Sequence, residues 1–163
     1  MTFKVKTFTN SAFIDHRGNY WTSWKKGTVN KIKFNHDKFS LSKKNVLRGL
    51  HGDSKTWKLL SCVYGKLYLV AVNYQKKSNG YLKWKSWILS HKNRLQILIP
   101  PNYANGYLCL SKQCVLHYKL FYKGSYFDTK KQFAIKWNDP KIKIKWPIKK
   151  PILSTRDKKT KFL

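Results

Sequence analysis

Arg48 and His51 stand three positions apart in the stretch NVLRGLHGD (45–53), with Gly49 between them and Gly52 just beyond. A cation beside an imidazole suits a site that holds an anion and moves a proton, and flanking glycines let the backbone bend and a ligand approach. The stretch reads as a short strand. In an ideal strand the two side chains point to opposite faces, because their spacing is odd and the side-chain period is two. Either a bulge near Gly49 re-aims one of them into a shared pocket, or they serve different surfaces, one of them across a subunit contact. From spacing alone, a single strand histidine is more often structural than catalytic, and Arg48 reads equally as a phosphate clamp or a salt-bridge partner.

The chain has no glutamate, so acid/base chemistry falls to five histidines, six aspartates, the tyrosines and any lysine with a lowered pKa. Lysine supplies 31 of the 35 basic residues, leaving only Arg17, Arg48, Arg94 and Arg156. A position that keeps arginine against this background is a candidate for bidentate recognition of an oxyanion. A metal site of two histidines and a carboxylate would need a second histidine two positions after His51, but Gly52 and Asp53 follow. A metal-free site without a cofactor is the expectation. Cys62, Cys109 and Cys114 are odd in number and lack metal-ligand spacing, which fits reduced structural thiols. His16 falls in a loop and His117 on the strand face opposite its neighbour Tyr118, and both read as structural or solvent-exposed; His91 falls in a turn and carries no signal.

These residues must be positioned by strands. Period-two alternation marks KLYLVAVN (66–73), VLHYKLFY (115–122) and KIKIKW (141–146), with turn signals at KKSNG (76–80), PPNYANG (100–106) and YKGS (122–125). No capped helical stripe stands out. The 163 residues, 42% of them hydrophobic, suffice for a single folded domain spanning 1–163, predicted to be all-β and jelly-roll-like. No apolar run approaches the roughly 20 residues of a membrane span and no secretory leader is visible, so a cytoplasmic location is expected. A net charge of +29 raises nucleic-acid or anionic-membrane binding. The lysines nevertheless run through the whole chain rather than forming a patch, which looks like compositional drift; the lysine-rich end KKTKFL is expected to fray.

Seven stretches in order, DHRGNYW (15–21), NVLRGLHGD (45–53), KLLSCVYGKLYLVAVN (58–73), ILIPPNYANGYLCLS (97–111), YKLFYKGSY (118–126), KWNDPKIKIKWP (136–147) and ILSTRD (152–157), resemble the blocks of dTDP-4-dehydrorhamnose 3,5-epimerases. The resemblance covers nearly the whole chain. It implies a metal-independent cupin (a double-stranded β-helix jelly roll), a homodimer without cofactor, and a nucleotide-diphospho-4-keto-6-deoxy sugar as substrate. On this resemblance His51 matches the general base, Asp157 the carboxylate that orients it, and Tyr118 the general acid on the opposite face of the sugar. Lys58 matches a lysine near the C4 carbonyl oxygen, and Arg17 and Arg48 match side chains that hold the pyrophosphate. Tyr20, His36, Lys38, Asn105 and Tyr126 match further substrate-binding positions, with Tyr126 or Phe127 able to stack on the base.

The chain also departs from the family pattern. Thr22 stands where a glutamate helps read thymine, HDK (36–38) replaces Q-D-N, Asn105 replaces the histidine of the A-H-G turn, and Lys131 falls near a further family acid. HDKF with RGLHGD and YKGSY resembles a branch acting on GDP-linked 6-deoxy-4-keto-heptoses. Two other readings stand beside a 3,5-epimerase: a 3-only epimerase or keto isomerase on the same scaffold, and a non-catalytic basic cupin binding polyanions.

Overall fold

The computed structural model describes residues 4–29, 32–127 and 129–163. Along the chain run β1 (Lys6–Thr9), β2 (Phe13–Asp15), β3 (Gly18–Tyr20), β4 (His36–Lys43), β5 (Leu47–Gly52), β6 (Trp57–Tyr64) and β7 (Lys66–Asn73). β8 (Trp84–Ser90), β9 (Leu95–Ile99), β10 (Tyr103–Cys109), β11 (Gln113–Phe121), β12 (Phe133–Ala134) and a short helix α1 (Thr155–Lys159) follow. Two five-stranded sheets form, β1-β9-β6-β11-β4 and β12-β5-β10-β7-β8, and β2 pairs with β3 as a separate hairpin. The fold is the expected all-β jelly roll. Among the described residues no helix is long and apolar enough to cross a membrane.

β7 shows why these segments become strands. Leu67, Leu69 and Ala71 face one apolar cluster with Leu60, Ile97, Ile99 and Tyr107, whereas Val70 and Val72 face a second with Leu50, Ala104, Ile135 and Ile142. Period-two geometry thus delivers apolar groups to both sides of the sheet. Cys62, Cys109 and Cys114 are free, buried thiols, and burial pushes Cys62 up to about 11, in keeping with a structural role.

Two sequence expectations fail here. KIKIKW (141–146) is not a strand: the amides of Ile142 and Lys143 both donate to the Asp139 carbonyl at 3.1 Å, and Lys143 has φ +57°. The alternation is real, since Ile142 is buried and Ile144 and Trp146 pack on the second cluster while the lysines face solvent. An irregular strap gains the same burial, roughly 1.5–3 kcal/mol per large apolar side chain, without a ladder partner. The turn expected over 100–106 ends at Asn102, which takes φ +63°, and β10 begins at Tyr103.

Of the two alternatives for Arg48 and His51, β5 shows the bulge. His51 lies opposite Asn105 and Arg48 opposite Tyr107, so three steps on β5 match two on β10, and Gly49 and Leu50 together face Gly106. Directly opposed residues of an antiparallel pair share a face. The two-against-one bulge therefore returns Arg48 and His51 to the same side. The Gly49–Leu50 peptide is cis, and Gly49 has φ +116°. A Cβ on Gly49 would lie 2.6 Å from the Gly106 Cα and 2.7 Å from the Asn105 carbonyl oxygen, both of them backbone atoms. Gly49→Ala is expected to destabilise the protein by about 3 kcal/mol. Urea unfolding checks this, and an unchanged midpoint would contradict it.

Candidate active site

A cavity of about 850 Å³ opens between the two sheets. His51 and Asn105 reach it from β5 and β10 of one sheet; Lys58 and Tyr118 reach it from β6 and β11 of the other. Lys38, Arg48, Tyr126 and Asp157 also line it. Of the residues singled out in the sequence, Arg17, Tyr20 and His36 do not.

His51 Nε2 and Asp157 Oδ1 are 2.7 Å apart. The helix α1 places Asp157: Ser154 caps it, its hydroxyl accepting from the Asp157 amide at 3.1 Å, and leaves the carboxylate 4% exposed. Burial alone would raise this carboxyl. The bond with His51, joined by contacts with Ser154 and the Gly49 amide, outweighs burial and holds it below its ordinary value. No helical periodicity marks this segment in the sequence, although S-x-x-D at 154–157 is a capping signature. Five residues are too few to show a periodic apolar face.

Lys58 is 7% exposed. Its Nζ donates to Asn105 Oδ1 at 3.1 Å and lies 3.9 Å from Asp53 Oδ2. Burial pulls the ammonium down to about 8, with the Asp53 charge opposing the fall. Burial also pushes the Tyr118 phenol well above its usual range, which nearby Arg48 opposes. Tyr118 consequently keeps its proton at any physiological pH.

Arg48 is tied to β4: Nε donates to Ser42 Oγ at 2.9 Å and Nη2 to the Leu41 carbonyl at 3.2 Å. Three of its five donors remain for an anion. Arg156, one of the four arginines, also lines the cavity, and its place in the ILSTRD stretch is the sequence signal for it. With Lys38 and Lys58 these make four fixed cations against one carboxylate, Asp157, among the described residues lining the cavity.

At one end sits an aromatic group. Tyr126 lies 4.9 Å from the His36 ring and 5.3 Å from Tyr122, while His36 Nδ1 is 3.1 Å from the Tyr122 hydroxyl. His36 thus supports the wall behind Tyr126. Lys55 Nζ donates to the carbonyls of Lys123 and Ser125 and stands 3.8 Å from the Phe127 ring centroid, which fastens this loop to the β5–β6 turn.

Arg17 is exposed on the β2–β3 hairpin and pairs with Asp15 at 2.6 Å; the Tyr20 ring lies tilted beside Phe13, with centroids 5.3 Å apart. His117 is buried on the far face of β11, 2.7 Å from Asp37, which matches its structural reading. Among the described residues no three His, Cys or Asp side chains converge as a metal site.

The arrangement can take a proton from one side of a flat substrate at His51, stabilise an oxyanion at Lys58 and return a proton from the other side at Tyr118. Comparison with known proteins gives this chemistry a family. The sequence profile of dTDP-4-dehydrorhamnose 3,5-epimerases matches residues 3–163. The chain is 34% identical over 161 residues to the dTDP-4-dehydrorhamnose 3,5-epimerase of Shigella flexneri, covering 94% of this chain and 87% of that protein. Among solved structures, it resembles dTDP-6-deoxy-D-glucose-3,5-epimerase from Legionella pneumophila in complex with dTDP-4-keto-L-rhamnose, with TM-score 0.90, 31% identity and coverage of 97% of this chain and 87% of that one. The dTDP-4-dehydrorhamnose 3,5-epimerase of Bacillus anthracis with TDP and PPi bound aligns with TM-score 0.91, 29% identity and coverage of 98% and 94%. A profile match across almost every residue, on a fold that places His51, Lys58, Tyr118 and Asp157 around one cavity, makes this chain a member of the dTDP-4-dehydrorhamnose 3,5-epimerase family.

Proposed function

We propose that this protein epimerises C3, C5 or both in a nucleotide-diphospho-4-keto-6-deoxy sugar, by proton abstraction to an enolate and reprotonation on the opposite face. The observation that carries this reading is the origin of the two proton-handling groups in opposed sheets, His51 on β5 and Tyr118 on β11. A sugar ring lying between the sheets presents one face to each. His51 takes the proton next to the ketone, and Asp157 orients its ring and favours the imidazolium that results. Lys58 lies beside the C4 oxygen and takes up its developing charge. Tyr118 delivers the new proton. Arg48 and Arg156 face the diphosphate, and Tyr126 stacks on the base. The test is turnover: incubation with 4-keto-6-deoxy sugars on dTDP and on GDP, followed by proton NMR, should yield the C3 or C5 epimer. No conversion of either substrate would refute the proposal.

HDK (36–38) and Thr22 depart from the thymidine-reading pattern. We infer GDP and a heptose-sized sugar from the resemblance of HDKF, RGLHGD and YKGSY to the GDP-heptose branch. Thermal shifts with dTDP, GDP, UDP and CDP should rank GDP first, since binding to the native state raises its stability with ligand occupancy; a dTDP preference would overturn this choice.

The protein acts as a homodimer on this reading. Phe13, Ile14 and Tyr20 are 55%, 68% and 69% exposed on a hairpin outside both sheets, an apolar surface suited to a second copy. Arg17 on the same hairpin then serves the partner's cavity. Ile14→Asp should shift sedimentation toward monomer, and an unchanged species would exclude this interface.

Because Lys58 must be charged to stabilise the enolate, kcat/KM should fall as pH rises through about 8. Tyr118, shifted upward, stays protonated across this range and adds no second limb. A profile flat from pH 7 to 9 would contradict the role given to Lys58.

A further inference from the structure

We propose that Asp53 takes part in the reaction through Lys58: its carboxylate keeps the ammonium charged and, with Asn105, aims it at the substrate oxygen, so Asp53 is a positioning residue. This rests on the reading of Lys58 as the cation at the C4 oxygen. Asp53 is 2% exposed and its two oxygens do different things. Oδ1 accepts from the amides of Lys55 at 3.0 Å and Thr56 at 2.7 Å, closing the β5–β6 turn. Oδ2 is buried, receives no hydrogen bond and lies 3.9 Å from Lys58 Nζ. Turn closure needs only the first oxygen, and a neutral amide would supply it. The second is a bare negative charge directed at the ammonium.

The ammonium has Asp53 and Asn105 as polar neighbours, and Lys58 lines the cavity. A buried amine without a counter-charge sheds its proton, because burial penalises the charged form. The other charged groups around the cavity do not help. Lys38, Arg48 and Arg156, which also line the cavity, are cations and offer Lys58 no counter-charge. Asp157 is engaged by His51, and Tyr118 on the neighbouring strand keeps its proton. Among the described residues Asp53 is the one carboxylate within 4.0 Å of Nζ. Without it the amine would be neutral through more of the physiological range and unable to stabilise an oxyanion.

The experiment compares the intact wild-type chain with Asp53→Asn, which keeps the turn acceptor, and with Asp53→Glu, which keeps the charge. Lysine NMR titration, with the Lys58 signal identified by its loss in Lys58→Arg, should show a midpoint at least about one pH unit lower in Asp53→Asn. The ratio of kcat/KM between that variant and wild type should then fall about tenfold from pH 6 to pH 9, and Asp53→Glu should recover part of it. An unmoved Lys58 titration, or a loss equal at every pH, would overturn the proposal and leave Asp53 as a turn residue. Should Asp53→Asn fail to fold, Asp53→Ser, which also keeps a turn acceptor and removes the charge, takes its place, and an unmoved Lys58 midpoint in it would likewise overturn the proposal. The titration needs no substrate, so absence of turnover in the wild type would refute the epimerase reading while the Asp53–Lys58 coupling is still decided.

Discussion

His51→Ala lowers turnover by about 10³-fold or more while leaving the fold intact. General-base catalysis is worth roughly 10²–10⁴-fold, and no other described group stands ready to replace this one. Asp157 is a poor substitute, because an ordinary carboxylate is a far weaker base than an imidazole. The ring is partly exposed and hydrogen-bonds to Asp157, so its removal opens no large core cavity. The thermal midpoint should therefore stay within a few degrees of wild type. Steady-state kinetics and calorimetry on the same sample check both halves; turnover retained within tenfold would remove His51 from the role of base.

Tyr118→Phe separates exchange from inversion. The imidazolium formed at His51 can return its proton to the face it left, so the variant should still exchange the substrate hydrogen with solvent. Delivery to the opposite face needs a donor from the other sheet, and phenylalanine has none. Epimer formation should fall by about 10²-fold or more while solvent deuterium still enters with retained configuration. Phenylalanine fills the same space, and Tyr118 packs against the interior apolar cluster, so the packing survives. A variant that inverts at the wild-type rate would show that another group, or water, delivers the proton.

The sequence made the strand content and the arrangement around His51 readable for a physical reason. Strands with both faces buried, such as β7, display their apolar groups in plain alternation, and the odd spacing of Arg48 and His51 left either a bulge near Gly49 or two separate surfaces, of which the bulge is found where Gly49 and Gly106 face each other. The partners of His51 were a different matter. Lys58, Tyr118 and Asp157 lie 7, 67 and 106 positions away, and nothing local joins them; the resemblance of whole blocks did. What escaped was what periodicity cannot express. The strap at 141–146 has strand-like alternation but spends its amides on the Asp139 carbonyl, and α1 is one turn long and announced only by its cap. Arg156 entered the cavity wall because that turn carries it there, beside Asp157.

The decisive measurement is incubation of the protein in deuterated water with a nucleotide-diphospho-4-keto-6-deoxy sugar, read by mass and by proton NMR. The account predicts deuterium at C3, at C5 or at both, together with the inverted centre, and loss of that uptake in His51→Ala. Absence of uptake from every 4-keto-6-deoxy sugar nucleotide, in protein shown to be folded, would contradict it.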